Sequence, residues 1–294
     1  MLKPVTEATN GSRHWKHRSS RRGVAMPHPV YGVIFTLPVV LLELLFLIIP
    51  IMQTIYYSFT NWNGFTASWV GMRTYINLFK DPVFWRVLLN NGGLLISISV
   101  ALFLPLVTAF LLTQRVFAWR LFRSVYFLPT AVSWVVIGMV AMRFLNSMLS
   151  GEISALIAIL LTFIWSVFGT NTVIFVTGMA TMDESLYEAA RIDGAATFQV
   201  IRYITIPLLK RFIQFAFITT LITAFTALFS LIFVMTGGGP GYGTTTLEFF
   251  IYQQAFTIGN FGYAATLGVV LFVIVFVISI AQMRLFKGNE GEEG

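Results

Sequence analysis

The chain has 294 residues, of which 57% are hydrophobic and only 11% are charged. A soluble globular domain carries about 25% charged residues, so this composition excludes a water-soluble fold and requires lipid as the solvent. The net charge of +7 would indicate nucleic-acid binding in a soluble protein. Membrane proteins concentrate lysine and arginine in their cytoplasmic loops, so here the positive charge indicates such loops. The absence of cysteine excludes disulfides, thiolate chemistry and cysteine-based metal sites.

Residues 1–29 form a polar, basic segment at the start of the chain. The apolar run that follows is too long for the hydrophobic region of a signal peptide, and no clear cleavage site accompanies it. We therefore expect these residues to remain as a cytoplasmic arm. All three histidines lie in this arm (His14, His17 and His28), so the sequence predicts no metal site within the membrane.

Six stretches are apolar and long enough to cross a bilayer core about 30 Å thick, which takes roughly 20 helical residues. They lie at residues 33–57, 88–113, 125–145, 153–180, 212–235 and 263–283. Fifteen of the 19 lysines and arginines fall in the terminal segments and in the second-to-third and fourth-to-fifth connections. This asymmetry predicts a membrane domain over residues 30–287, with the arm and a short tail (288–294) both on the cytoplasmic side.

Prolines and one acid interrupt the first three spans. Each of four prolines removes a backbone donor and predicts a bend, namely Pro38, Pro50, Pro105 and Pro129. Such a bend is either a structural kink, whose freed backbone groups bond to neighbouring helices, or a flexible joint of a gate. Glu43 is the only acid deep inside a predicted span, where an ionised carboxyl group costs roughly 2.5–3.5 kcal/mol. We therefore expect Glu43 to be protonated, paired or facing water.

Three connections are predicted on the outer side of the membrane. Residues 61–86 are rich in aromatic side chains, which is typical of a membrane-interface belt and of a surface facing a partner. The connection at 146–152 is short. Residues 236–262 open with a Gly-Gly-Gly-Pro-Gly run directly after Thr236, and this run must end the fifth helix.

The fourth-to-fifth connection, residues 181–211, reads SLYEAARIDGAATFQVIRYITIPLL at its centre. Good helix-forming residues on both sides of Asp193 and Gly194 predict two short helices joined at Gly194, because glycine accepts positive φ. Pro207 then lies at the start of the fifth span, where the first helical residues have no intrahelical N–H partner and the missing N–H of proline costs little. Small residues around this turn let another surface approach closely, so the segment suits docking of a partner better than catalysis.

This segment resembles the EAA loop of permease subunits in binding-protein-dependent ABC importers. The family pattern is E-A-A, three residues, G, nine residues and I-x-L-P. This chain differs from the pattern only at Ile206, where leucine is usual. The matching residues are Glu188, Ala189, Ala190, Gly194, Ile204 and Pro207. Tyr187 and Asp193 extend the match to the sugar-importing branch, and the glycine-rich outer run resembles the larger subunit of maltose-type pairs.

The resemblance implies an all-α membrane protein with six transmembrane helices of the type I ABC importer permease fold and a cytoplasmic coupling helix over residues 186–196. The residues that it assigns to coupling with an ATPase are Tyr187, Glu188, Ala189, Ala190, Asp193, Gly194 and Pro207. Glu188 would accept a hydrogen bond from an arginine of the ATPase. Ala189 and Ala190 would pack against the surface of the ATPase subunit. The implied partners are a second permease subunit with the same motif, two cytoplasmic nucleotide-binding subunits, an extracytoplasmic solute-binding protein and a carbohydrate.

ATP hydrolysis is expected in a partner subunit rather than in this chain. A P-loop needs a lysine between glycine and serine or threonine, and none of the lysines here follows glycine or precedes either hydroxyl residue. We therefore expect a transport subunit that is not an enzyme and holds no cofactor, with ATP and Mg²⁺ bound by the partner ATPase subunits.

Sugars bind through hydrogen-bonding side chains and aromatic faces in an otherwise apolar pocket. The candidate residues for such a path are Thr170, Asn171, Thr223, Thr226, Ser230 and Trp134. Thr223, Thr226 and Ser230 are spaced by three and four residues, so they share one helix face. The alternatives are that these polar groups pack helices or bond their own backbone, and that Trp134 packs in the core.

Other functions stay open at this point. An ABC permease for amino acids, phosphate or peptides would share the EAA segment but not its sugar-branch extension. A secondary transporter working alone would need no docking segment and would be expected to carry a charged relay. A membrane enzyme would need paired carboxylates, a histidine cluster or a nucleophile elbow, which the predicted spans lack.

Overall fold

The computed structural model describes residues 29–113 and 128–287. The helices are α1 (Pro29–Glu43), α2 (Ile49–Tyr57), α3 (Arg73–Lys80), α4 (Pro82–Thr113), α5 (Trp134–Leu145), α6 (Glu152–Met179), α7 (Glu184–Ile192), α8 (Thr197–Val200), α9 (Ile206–Leu208), α10 (Lys210–Met235), α11 (Leu247–Tyr252) and α12 (Phe261–Lys287). Short π-helical segments follow α1, α8 and α11, at Leu44–Ile48, Ile201–Thr205 and Gln253–Thr257. The predicted basic arm, the second-to-third connection and the tail lie outside the described residues.

Five helices in the described part of the chain are long and apolar enough to cross a membrane. They are Thr36–Tyr57, Pro82–Leu112, Glu152–Met179, Lys210–Met235 and Phe261–Gln282. Their positions confirm the first, second, fourth, fifth and sixth predicted spans, with ends that differ by a few residues.

The third predicted span is shorter than expected where the structure describes it. Pro129 lies in a 3-10 turn, Leu128–Ala131, and α5 begins only at Trp134. Ser133 caps this helix, since its side chain accepts a hydrogen bond from the Val136 N–H at 3.4 Å. Over the described residues 128–133, proline and a capping serine therefore replace the continuous helix that was predicted.

The described residues 29–50 belong to the first of two compact units into which the chain divides. Its described part is α1, the π-helical segment and the start of α2, and Pro38 lies inside α1. Glu43 immediately precedes the π-helical segment and is exposed.

The second unit contains a core in which α6 packs against α4, and α10 packs against α4, α5 and α6. Large apolar side chains fill this core, and small residues line the helix contacts, where they let backbones approach closely in lipid. The largest fully buried members are Phe163, Phe175, Ile98, Ile159, Leu209, Leu228, Leu231 and Ile232, and the buried alanines include Ala101, Ala109, Ala158, Ala216 and Ala224.

The connection between α10 and α12 contains a helix that the sequence did not predict. The helix α10 ends at Met235 as expected, and the following turn has positive φ at Gly237, Gly238 and Gly241. The chain then forms α11, whose Leu247 and Phe250 join a second cluster with α3, α4 and α12, while its Phe249 packs into the first core. Apolar length did not predict α11, because the helix and its π-helical extension are too short to span a bilayer.

Candidate functional site

The elbow, defined as residues 184–209, consists of α7, a turn, α8, the π-helical segment Ile201–Thr205 and α9. Asp183 caps α7, since its carboxylate accepts a hydrogen bond from the Ser185 N–H at 3.0 Å, and this bond holds the pKa of Asp183 below its usual value. Gly194 has φ +75°, and the Ala195 N–H donates to the Ala190 carbonyl at 2.9 Å. The predicted helix break at Gly194 is confirmed, although the helix spans Glu184–Ile192 rather than residues 186–196.

The residues that the EAA resemblance assigns to coupling divide between two faces of α7. Glu188, Ala189 and Asp193 are exposed. Ala190 is only 7% exposed, so of the two alanines that the resemblance assigns to packing against a partner, Ala189 is the one whose side chain is exposed on this chain. Tyr187 also turns inward, and its hydroxyl donates to the Met182 sulfur at 3.0 Å.

The remaining part of the elbow is attached to the membrane helices. Pro207 is exposed in α9, two residues before the fully buried Leu209. A β-carbon placed on Gly178 would stand 2.6 Å from side-chain atoms of both Leu209 and Phe212. The absence of a side chain at Gly178 therefore brings the end of α6 into direct contact with the start of α10, directly beneath the elbow.

A cavity of about 230 Å³ lies among α5, α6, α10 and the 3-10 turn before α5. Its lining residues are Pro129, Thr130, Val132, Trp134, Ile137, Ser166, Val167, Thr170, Asn171, Thr219, Thr220 and Thr223. The cavity brings together four of the predicted path residues, namely Trp134, Thr170, Asn171 and Thr223. Thr226 and Ser230 do not line it, although they were predicted on the same helix face as Thr223.

Asn171 is buried and committed to the helix contacts beside this cavity. Its amide nitrogen lies 3.0 Å from both the Ala101 carbonyl oxygen and the Thr220 hydroxyl oxygen, which joins α6 to α4 and α10. Trp134 is half-buried and stacks on Phe163 with ring centroids 6.2 Å apart. Both side chains therefore have structural partners as well as a surface on the cavity.

Three hydroxyls of the cavity, those of Ser166, Thr219 and Thr223, donate to carbonyls of their own helix. Thr223 donates to the Thr219 carbonyl at 2.7 Å, and Ser166 donates to the Thr162 carbonyl at 2.7 Å. A hydroxyl that donates in this way keeps acceptor capacity, so it can still receive a hydrogen bond from a solute. Ser166, Thr219 and Thr220 were missed by sequence reasoning, and the repeated hydroxyls on α6 and α10 were the available signal.

At the opposite end of α10 from the elbow, two asparagines of α4 hold the glycine-rich turn. Asn90 donates to the carbonyls of Tyr242 and Thr245, both at 2.8 Å, and the Asn91 side-chain oxygen accepts from the Leu247 N–H at 2.8 Å. Sequence reasoning missed this contact, although adjacent asparagines within an apolar helix are a signal for buried hydrogen bonding.

The same place contains a carboxyl group in an apolar setting. Glu248 has one oxygen 3.5 Å from the Asn91 amide nitrogen, while the other is buried without a hydrogen-bond partner. Burial raises the pKa of Glu248, against a smaller opposing effect of the hydrogen bond from Asn91.

Comparison with known proteins identifies the wider group to which this fold belongs. Residues 18–288 match the family described as "Binding-protein-dependent transport system inner membrane component". The chain is 32% identical over 277 residues to "Probable ABC transporter permease protein YurN" of Bacillus subtilis, covering 86% of this chain and 94% of that protein. It is 29% identical over 280 residues to "Multiple sugar-binding transport system permease protein MsmF" of Streptococcus mutans, covering 88% and 96%.

A solved structure shares the fold. It is described as a bacterial ABC transporter involved in the import of the acidic polysaccharide alginate, and one of its chains aligns with a TM-score of 0.74 and 21% identity. The alignment covers 88% of this chain and 95% of that one. The sequence match across most of the chain and the shared helical fold together lead to one conclusion: this chain belongs to the family of inner-membrane components of binding-protein-dependent transport systems.

Proposed function

We propose that this chain is one of two membrane-spanning subunits of an ATP-driven importer of carbohydrates. The proposed assembly adds a second permease subunit with its own EAA segment, two nucleotide-binding subunits that hold ATP and Mg²⁺, and an extracytoplasmic solute-binding protein. The elbow is the observation that carries this proposal. Its helix α7 is exposed, while its end at Leu209 packs directly against two membrane helices, α6 and α10.

The elbow would lie on the cytoplasmic side and receive the ATPase. Glu188 and Ala189 are exposed on α7, so Glu188 can accept a charge-assisted hydrogen bond from an arginine of that subunit. Movement of α7 would be transmitted through Leu209 to α6 and α10, because Gly178 is in close contact with both Leu209 and Phe212. The membrane helices would then alternate between inward-open and outward-open states as packed bodies.

The cavity supports a carbohydrate as the cargo. It presents several hydroxyls and one indole ring in an otherwise apolar setting, which suits hydrogen bonding and stacking with a sugar. None of its twelve lining residues is charged, which favours a neutral solute over phosphate or a free amino acid. Relatives such as MsmF, whose name refers to multiple sugars, point the same way.

The test of this function is a charge reversal on α7. Glu188→Lys places a cation where an arginine is proposed to dock, so we expect loss of solute-stimulated ATPase activity and of uptake of labelled mono- and oligosaccharides. The matched control is Glu188→Gln, because its amide oxygen still accepts a hydrogen bond at the same position without introducing a positive charge. The control is expected to retain most of both activities. Normal uptake by Glu188→Lys, with ATPase subunits still co-purifying, would show that the docking assignment is wrong.

A further inference from the structure

The short helix α3 has three distinct faces. One face attaches it to the rest of the chain: Leu78 is fully buried, the Thr74 hydroxyl donates to the Ser58 carbonyl at 2.7 Å, and the Tyr75 hydroxyl lies 2.7 Å from the Ser58 hydroxyl. These contacts hold α3 in a defined orientation, so what its other two faces present is set by the fold.

The second face is apolar and exposed. Met72, at the cap of α3, is 59% exposed, Ile76 is 52% exposed and Phe79 is 50% exposed. Their spacing of four and three residues aligns them along one side of the helix. Trp85, at the start of α4, extends this stripe, because its indole N–H donates to the Phe79 carbonyl at 2.9 Å and its ring lies 6.4 Å from the Phe79 ring.

The third face is polar and basic, and it lies one residue further along the helix. Arg73, Asn77 and Lys80 are all exposed and repeat the spacing of four and three. The nearby acid Asp81 is turned away from this face. Its carboxylate accepts hydrogen bonds from the Val83 N–H at 2.8 Å and from the Tyr263 hydroxyl at 2.9 Å.

The position of α3 in the chain determines what can cover these faces. Asp81 is the only residue between α3 and α4, whose segment Pro82–Leu112 is apolar enough to cross the membrane. The second predicted span begins at residue 88, so α3 ends about two helical turns before the predicted hydrocarbon boundary. An apolar stripe beside a cationic stripe is the pattern of a helix that lies in the plane of the membrane interface.

We propose that α3 is an interfacial helix that binds the headgroup region of the bilayer. Met72, Ile76, Phe79 and the Trp85 ring enter the boundary with the acyl chains, while Arg73 and Lys80 contact phosphate groups, with a preference for anionic lipid. This surface goes beyond the proposed function, because it does not depend on which solute the protein carries. It would fix the depth of the outer end of α4 and of the glycine-rich turn that Asn90 and Asn91 hold.

Adjacent positions on α3 provide a matched test. The chain has no cysteine, so single variants Ile76→Cys and Asn77→Cys each carry one environment-sensitive fluorophore on this subunit. The assembled transporter, with partner cysteines replaced, is reconstituted in vesicles of phosphatidylcholine with phosphatidylglycerol. We expect the label at 76 to be quenched by phosphatidylcholine bearing a shallow nitroxide and shielded from iodide, with the opposite pattern at 77.

A second arm tests the lipid charge. Replacing phosphatidylglycerol by phosphatidylcholine is expected to reduce nitroxide quenching at 76 in the otherwise native protein, and to have no effect in the Arg73→Gln/Lys80→Gln background. Equal access of iodide to both labels would overturn the proposal. Shielding at 76 that appears only after addition of the solute-binding protein would also overturn it, by assigning the face to a protein partner.

Discussion

Gly178 and Leu209 are in such close contact that a β-carbon at position 178 would stand 2.6 Å from the Leu209 Cδ2 atom. Leu209 is fully buried at the end of the elbow, and Gly178 lies in the last turn of α6. This single contact joins the segment proposed to receive force to the helices proposed to transmit it.

The first prediction follows from this contact. Gly178→Ala forces Leu209 and Phe212 to shift, and overpacking of this kind costs about 1–3 kcal/mol in unfolding free energy. We expect a lower thermal unfolding midpoint and weaker coupling between ATP hydrolysis and uptake. Gly92→Ala is the control, since no atom other than the adjoining backbone of its own helix lies within 4 Å of the added β-carbon, and alanine is the better helix former. Equal unfolding midpoints for the two variants would contradict the prediction.

The second prediction concerns the buried contact of Asn171 with Thr220. Asn171→Ala leaves the Thr220 hydroxyl without its partner and opens a small void, so we expect a loss of about 1–3 kcal/mol in unfolding free energy. Thr172→Val serves as the control, because the Thr172 hydroxyl donates only within its own helix, to the Phe168 carbonyl at 2.8 Å. Chemical denaturation in detergent measures both, and a smaller effect for Asn171→Ala than for the control would refute this account.

The third prediction distinguishes cavity residues from other residues on the same helix. Thr223 and Thr226 both donate to their own helix, at 2.7 and 3.0 Å, so replacing either by valine costs the fold a similar amount. Only Thr223 lines the cavity. Thr223→Val is therefore expected to raise the KM for uptake several-fold, while Thr226→Val leaves it unchanged. Uptake of a panel of labelled mono- and oligosaccharides provides the measurement, and matching KM values in the two variants would exclude this cavity from the path.

The fourth prediction concerns pH. Folding raises the pKa of Glu248, so the native state favours the protonated carboxyl group. The resulting stability is fully present below the pKa of the unfolded chain and is lost as the pH rises through the higher pKa of the folded protein. Glu248→Gln keeps a neutral side chain throughout. We expect the unfolding midpoint of the native chain to fall relative to that of the variant over this window, and parallel pH profiles would show that Glu248 is not responsible.

Local signals determined much of this protein from sequence alone. Apolar length located five of the described spanning helices, the glycine run ended α10 at Met235, and Gly194 broke the elbow into two helices. Each of these features depends on residues close together in the chain, through helix periodicity or the positive φ that glycine accepts. The same locality allowed the EAA spacing to indicate the family.

The tertiary structure alone decided which polar groups meet. Asn90 and the Tyr242 carbonyl are 152 residues apart, and Asn171 and Thr220 are 49 apart, so no local pattern pairs them. Ala190 turned inward and Thr226 fell outside the cavity, because helix packing, rather than spacing along one helix, selects the buried face. Sequence located the long apolar helices and the glycine breaks between helices, whereas contacts between distant segments made the cavity and the buried carboxyl group.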